Sequence, residues 1–78
     1  MSERFKRALL NDPQSVLEAL SNNNPYARAQ TIAMLQKHGV YDDVFVDAVS
    51  LLVDDSGMAV FGLTVGDIAK EYIRSQVA

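Results

Sequence analysis

Apolar residues recur along this chain with a helical period. They do so in segments separated by turn signals. Wound at about 100° per residue, the segment from Pro25 gathers Tyr26, Ala29, Ile32, Ala33 and Leu35 on one half of the cylinder, with Arg28, Thr31 and His38 on the other. The segment from Asp42 puts Phe45, Val46, Val49, Leu52 and Val53 on one arc, opposite Asp43, Asp47, Ser50 and Asp54. A last segment aligns Phe61, Val65, Ile68, Ala69, Tyr72 and Ile73, with Met58, Gly62 and Gly66 at its edge. On that last helix the same geometry sends Val60 and Leu63 to the far side, among Asp67, Lys70 and Arg74. Val44-Phe45-Val46 is β-prone, but the pattern around it is helical.

The boundaries follow from capping chemistry. Ser2 caps a first helix over 3–10, and Asn11-Asp12-Pro13 stops it and starts another, with Asp12 as N-cap and Pro13 at the first helical position. Asn24-Pro25 repeats the device. Gly39 ends that helix, with Lys37 and His38 in its last turn. Tyr41-Asp42-Asp43 opens the next, and Asp54-Asp55-Ser56-Gly57 breaks it and caps a final helix reaching Gln76. The expected helices are 13–22, 25–38, 42–54 and 57–76, packed as two antiparallel pairs after a short N-terminal helix. The expected core is Leu17, Leu20, Ile32, Leu35, Val49, Leu52, Val65 and Ile68.

The pattern also repeats. Ser15–Leu20 followed by Asn22–Ala27 lines up, 32 residues on, with Asp47–Leu52 followed by Asp54–Ala59. Val16 meets Ala48, Leu17 meets Val49, and Leu20 meets Leu52. After a one-residue slip, Ile32 meets Val65 and Leu35 meets Ile68. A repeat near this period is the mark of stacked helix pairs.

The run Asn24-Pro25-Tyr26-Ala27-Arg28-Ala29-Gln30-Thr31-Ile32-Ala33-Met34-Leu35, then Gly39, then 47–55, resembles HEAT-like repeats. It looks most like the short kind also found in bilin lyases. The second copy departs from that pattern, with Val60 where the first has Arg28 and Gly57 where it has Pro25. The resemblance covers the chain from Asp12 onward. It implies a short α/α superhelical stack of about two HEAT-like helix pairs, with the first helix as an N-terminal cap, whose relatives mostly bind other proteins. It implies no catalytic residues, and it assigns Arg28 to support of the inter-repeat turn, with a partner-facing role as the alternative.

Composition narrows the function. Seventy-eight residues make a single all-α domain over 1–78 with a thin stability margin. There is no cysteine, so disulfides, cysteine-ligated metals and a thiol nucleophile are excluded. The net charge is −3, distributed as +2 over the first ten residues and −5 over the rest. An acidic body opposes a phosphate backbone, so no nucleic-acid partner is expected. No apolar run suits a signal peptide or a membrane span, and a cytoplasmic protein with no membrane partner is the expectation.

Candidate chemistry is sparse. His38 is a lone imidazole beside Lys37, short of the partners zinc needs. Asp43, Asp47 and Asp54 form an acidic stripe, read as a solvated face, an electrostatic docking surface or, least readily, a metal site. Arg4, Lys6 and Arg7 with Phe5, Leu9 and Leu10 make a short basic amphipathic helix, a cap for the first pair or a membrane-surface element. Gly62 and Gly66 permit a close crossing within the domain or against a second chain. With no phosphate loop, nucleophile–base pair or metal motif, no catalytic residue, cofactor or metal is expected and the chain is read as not an enzyme. The expected function is a protein-interaction module. The alternatives are a structural self-associating domain or a small antitoxin-like regulator that masks a basic partner. Because the chain stops at Ala78, Val60 and Leu63 are expected to meet a second chain, most simply in a homodimer; the alternative is a monomer in which the stems of Arg74 and Lys70 fold over them.

Overall fold

The computed structural model describes residues 12–76. The helix expected over 3–10 and its basic residues lie outside them. Four helices make up the described fold: α1 (Pro13–Leu20), α2 (Pro25–Lys37), α3 (Asp43–Ser50) and α4 (Val65–Ser75). Among the described residues there is no strand, only a single antiparallel bridge between Met58 and Thr64.

The caps explain where α1 and α2 begin. Asp12 accepts the Ser15 N–H at 3.2 Å and the Ser15 hydroxyl at 2.6 Å, with Pro13 at the first position where no N–H is needed. Asn24 accepts the Tyr26 N–H at 2.9 Å ahead of Pro25. At the other end of α2, Gly39 takes φ +66°, so that its N–H reaches Gln36 O and the Val40 N–H reaches Leu35 O. That pair of bonds is a Schellman motif, and it returns Val40 to the core.

α2 packs on α1 and α4, and α3 packs on those same two helices. Between them lie Leu20, Ala29, Ile32, Leu35, Phe45, Val49, Val65, Ala69 and Tyr72, all buried. Each large apolar side chain there contributes about 1.5–3 kcal/mol on leaving water. Leu17, Leu52 and Ile68, expected in the interior, are half-buried and pack against it from outside.

The second half departs further from expectation. α3 ends at Ser50 rather than 54, and the chain continues through turns. Three of its eight residues are β-branched valines, a weak basis for prolonging a short helix. The final helix begins at Val65 rather than 57, because Phe61 and Gly62 both take positive φ (+52° and +77°), which no right-handed helix contains. The working N-terminal signal is a capping box. The Asp67 N–H donates to the Thr64 hydroxyl and the Thr64 N–H to the Asp67 carboxylate, each at 3.0 Å. The Thr64 backbone N–H, and after it the Thr64 hydroxyl, hold the Asp67 carboxyl below its ordinary range. Phe61, expected on the core face, is 99% exposed.

Gly66 does permit a close approach, but to a turn rather than to a helix. A Cβ there would stand 2.6 Å from Val53 O and 2.9 Å from Asp55 O, and the Gly66 N–H donates to Asp55 O at 2.9 Å. Gly62 plays no part in that contact, since it lies in the loop before α4.

Candidate interaction surface

The segment between α3 and α4 is an ordered hairpin. Asp55 anchors its start: the Arg28 Nε and Nη2 donate to its carboxylate at 2.9 and 3.1 Å, while Arg28 Nη1 donates to Asn22 O at 2.6 Å. One guanidinium thus ties the turn before α2 to the turn after α3. A bidentate, mostly buried arrangement of this kind fixes geometry as well as adding energy. Arg28, followed by the Gly57 N–H at 2.8 Å, holds the Asp55 carboxyl below its ordinary value of 3.8. Gly57 fits because a Cβ would stand 2.8 Å from both Arg28 Nη2 and the Pro25 Cβ.

From Gly57 the chain turns back on itself. Val65 N–H donates to Gly57 O, Ala59 N–H to Leu63 O and Leu63 N–H to Val60 O, at 2.8–2.9 Å. Positive φ at both Phe61 and Gly62, closed by the Val60–Leu63 bond, defines a type I′ turn. Glycine, asparagine and aspartate suit its first central position; a bulky residue in left-handed backbone costs about 1–2 kcal/mol. Here that position holds a phenylalanine with its ring wholly in solvent. The exposed ring buries nothing on folding and its backbone is strained, so the monomer gains nothing from this residue.

Beside the hairpin lies an apolar hollow of about 180 Å³, lined by Tyr26, Ala29, Gln30, Ala33, Val60 and Ile68. None of these is charged. Val60 is half-buried in its wall and Tyr26 stands 49% exposed at it, while Met58 and Leu63 are exposed elsewhere on the hairpin. Val60 and Leu63, expected on the outer face of the last helix, therefore belong to the hairpin that precedes it. Leu63 lines an adjoining hollow, and the two hollows meet at Ile68.

The acidic stripe is placed differently. Asp43 and Asp47 are exposed one turn apart on α3, and Asp54 is exposed in the turn beyond its end. Asp42 caps α3 through backbone geometry alone, without a side-chain bond. Among the described residues no group of three or more histidines, cysteines or acids is positioned to hold a metal ion, and no helix is long and apolar enough to cross a membrane. His38 occupies the C-cap of α2.

The residue missed by sequence reasoning is Phe61, because a helical wheel drawn from 57 turns it inward. Thr64-Val65-Gly66-Asp67 was the available signal: a capping-box spacing ahead of Ile68 and Ala69 that puts the helix start at 65. Comparison of the chain with protein-family models, with curated proteins and with solved structures finds no match.

Proposed function

We propose that this chain is a non-enzymatic protein-interaction module that binds another protein chain through the face made by α2, α4 and the 57–64 hairpin. The observation that carries the reading is Phe61. It is a solvent-exposed aromatic held by hydrogen-bonded backbone at the tip of a strained turn, next to an apolar hollow. Strain retained where it serves no packing is characteristic of binding sites, and rigid exposed aromatics are the residues that carry binding energy at interfaces. The paired turns joined by Arg28 suit a short HEAT-like stack, and we include that architecture in the proposal.

A second reading rests on the exposed Asp43, Asp47 and Asp54, which suit a regulator that masks a basic partner. Affinity capture from the native host with wild type, Phe61→Asn and the double variant Asp43→Asn/Asp47→Asn separates the two. Loss of the bound protein with Phe61→Asn alone is the expected result. Loss confined to the aspartate variant would transfer function to α3.

A further inference from the structure

The face of α2, α4 and the hairpin holds a projecting ring and an apolar hollow side by side, with Val60 in the hollow's wall and Phe61 the next residue along. We propose that the partner of this face is a second copy of the same chain, in a two-fold dimer where each Phe61 ring enters the other copy's hollow between Tyr26, Ala29, Ala33, Val60 and Ile68. The proposal rests on the interaction reading above and names its partner.

Three observations favour a second copy over an unrelated chain. The first is symmetry. A two-fold interface must be self-complementary, each surface presenting both what it inserts and what it receives. A knob and a socket adjacent on one surface meet that condition around an axis beside Val60. An interface with an unrelated protein needs only one of the two.

The second is size. Closed apolar cavities of about 150 Å³ take up benzene, and the hollow, at about 180 Å³, has room for a phenyl ring. Its lining is small or flat where the ring would enter: Ala29 and Ala33 from α2, with Tyr26 exposed at the rim.

The third is charge. The chain carries net −3, and two copies repel wherever their acids face each other. The exposed Asp42, Asp43, Asp47 and Asp54 lie on and around α3, which contributes nothing to the hollow. The hollow's lining is uncharged; the nearest acids, Asp67 and Glu71, stand with Arg74 in the adjoining hollow beyond Ile68, so copies meeting there keep the α3 acids out of the contact.

The test combines mass, stability and cross-linking on the full chain. Sedimentation equilibrium over a range of concentrations should give the mass of two chains for wild type. Phe61→Asn, which empties the socket, and Ala33→Glu, which blocks it, should each raise the dimer dissociation constant at least about thirty-fold. Phe61→Asn should also melt roughly 4–8 °C higher in dilute solution, since asparagine suits the turn better than phenylalanine. That gain shows that loss of the dimer is not loss of fold. A single-chain mass for wild type at every concentration overturns the dimer. Replacing Leu63 with its diazirine analogue in the native host then separates the two readings. A doubled-mass adduct linked to hollow residues supports the second copy. An adduct with a different protein overturns the second copy and leaves the interaction reading standing. No protein adduct at all overturns both.

Discussion

Arg28 shows how a single side chain decides the relation between two halves of a small fold. Its partner Asp55 sits where the chain leaves α3, and the same carboxylate also accepts the Gly57 N–H that begins the hairpin. Both contacts favour the ionised form, so the folded pKa lies below the unfolded value of 3.8. The resulting stabilisation is complete above that value and disappears as pH falls through the lower folded one. Asp55→Asn keeps the acceptor for Gly57 but removes the charge. It should cost about 1.5–3 kcal/mol at neutral pH, in the range for hydrogen bonds to charged groups. The gap to wild type should narrow as pH falls from neutrality to below 3.8. Urea midpoints at the two pH values check this, and a gap that persists undiminished in acid would show that Arg28 acts by packing alone. Phe61 is the residue-scale counterpart, a side chain in a position that folding does not reward.

At the scale of elements, what was legible in the sequence depended on where the ends were encoded. The starts of α1 and α2 were readable because Asp12-Pro13 and Asn24-Pro25 carry their caps in adjacent residues. Gly39 marked the end of α2 for the same local reason. The second half misled because Asp54-Asp55-Ser56-Gly57 has the composition of a cap, yet Asp55 serves a distant arginine and a tight turn. The apolar period then continued through Phe61 by coincidence of spacing, since hairpin residues and helix residues were read on one wheel. Leu63 stands exposed as expected, but Val60 is half-buried in the wall of a hollow that needs Tyr26 and Ala33 from α2, which no local pattern brings there. The capping box gives this correction a test. Thr64→Ala removes the side-chain acceptor for Asp67 N–H and should destabilise the fold by about 1 kcal/mol. Amide exchange should quicken first in the opening turn of α4. A variant as stable as wild type, with that turn equally protected, would return the helix start to the neighbourhood of 57.

The whole molecule responds as one unit, because helices of 8, 13, 8 and 11 residues are too short to persist alone and depend on each other's apolar faces. Tyr72 shows the dependence. It is inaccessible to water, its hydroxyl donates to Val40 O at 2.6 Å, and its ring stacks on Tyr41 with centroids 4.8 Å apart. The Tyr41 hydroxyl in turn pairs with Ser75 Oγ at 2.7 Å. The connection between α2 and α3 is thereby fastened to α4 at a point where deprotonation is unfavourable. Burial above all, and then the neighbouring Tyr41 and Asp42, push the Tyr72 hydroxyl up from 10.0 to about 12. A raised acid pKa means that the fold prefers the neutral phenol. The stabilisation is therefore intact below the unfolded value of 10.0 and is lost as pH climbs through the folded value of about 12. Tyr72→Phe should cost about 1 kcal/mol near neutrality through the lost bond to Val40. Over the same interval it should lose less stability than wild type. Urea unfolding at about pH 8 and about pH 11 measures the two slopes. Equal alkaline losses would mean that Tyr72 ionises inside the folded chain as readily as outside it, and an unchanged stability near neutrality that the bond to Val40 does not fasten α4.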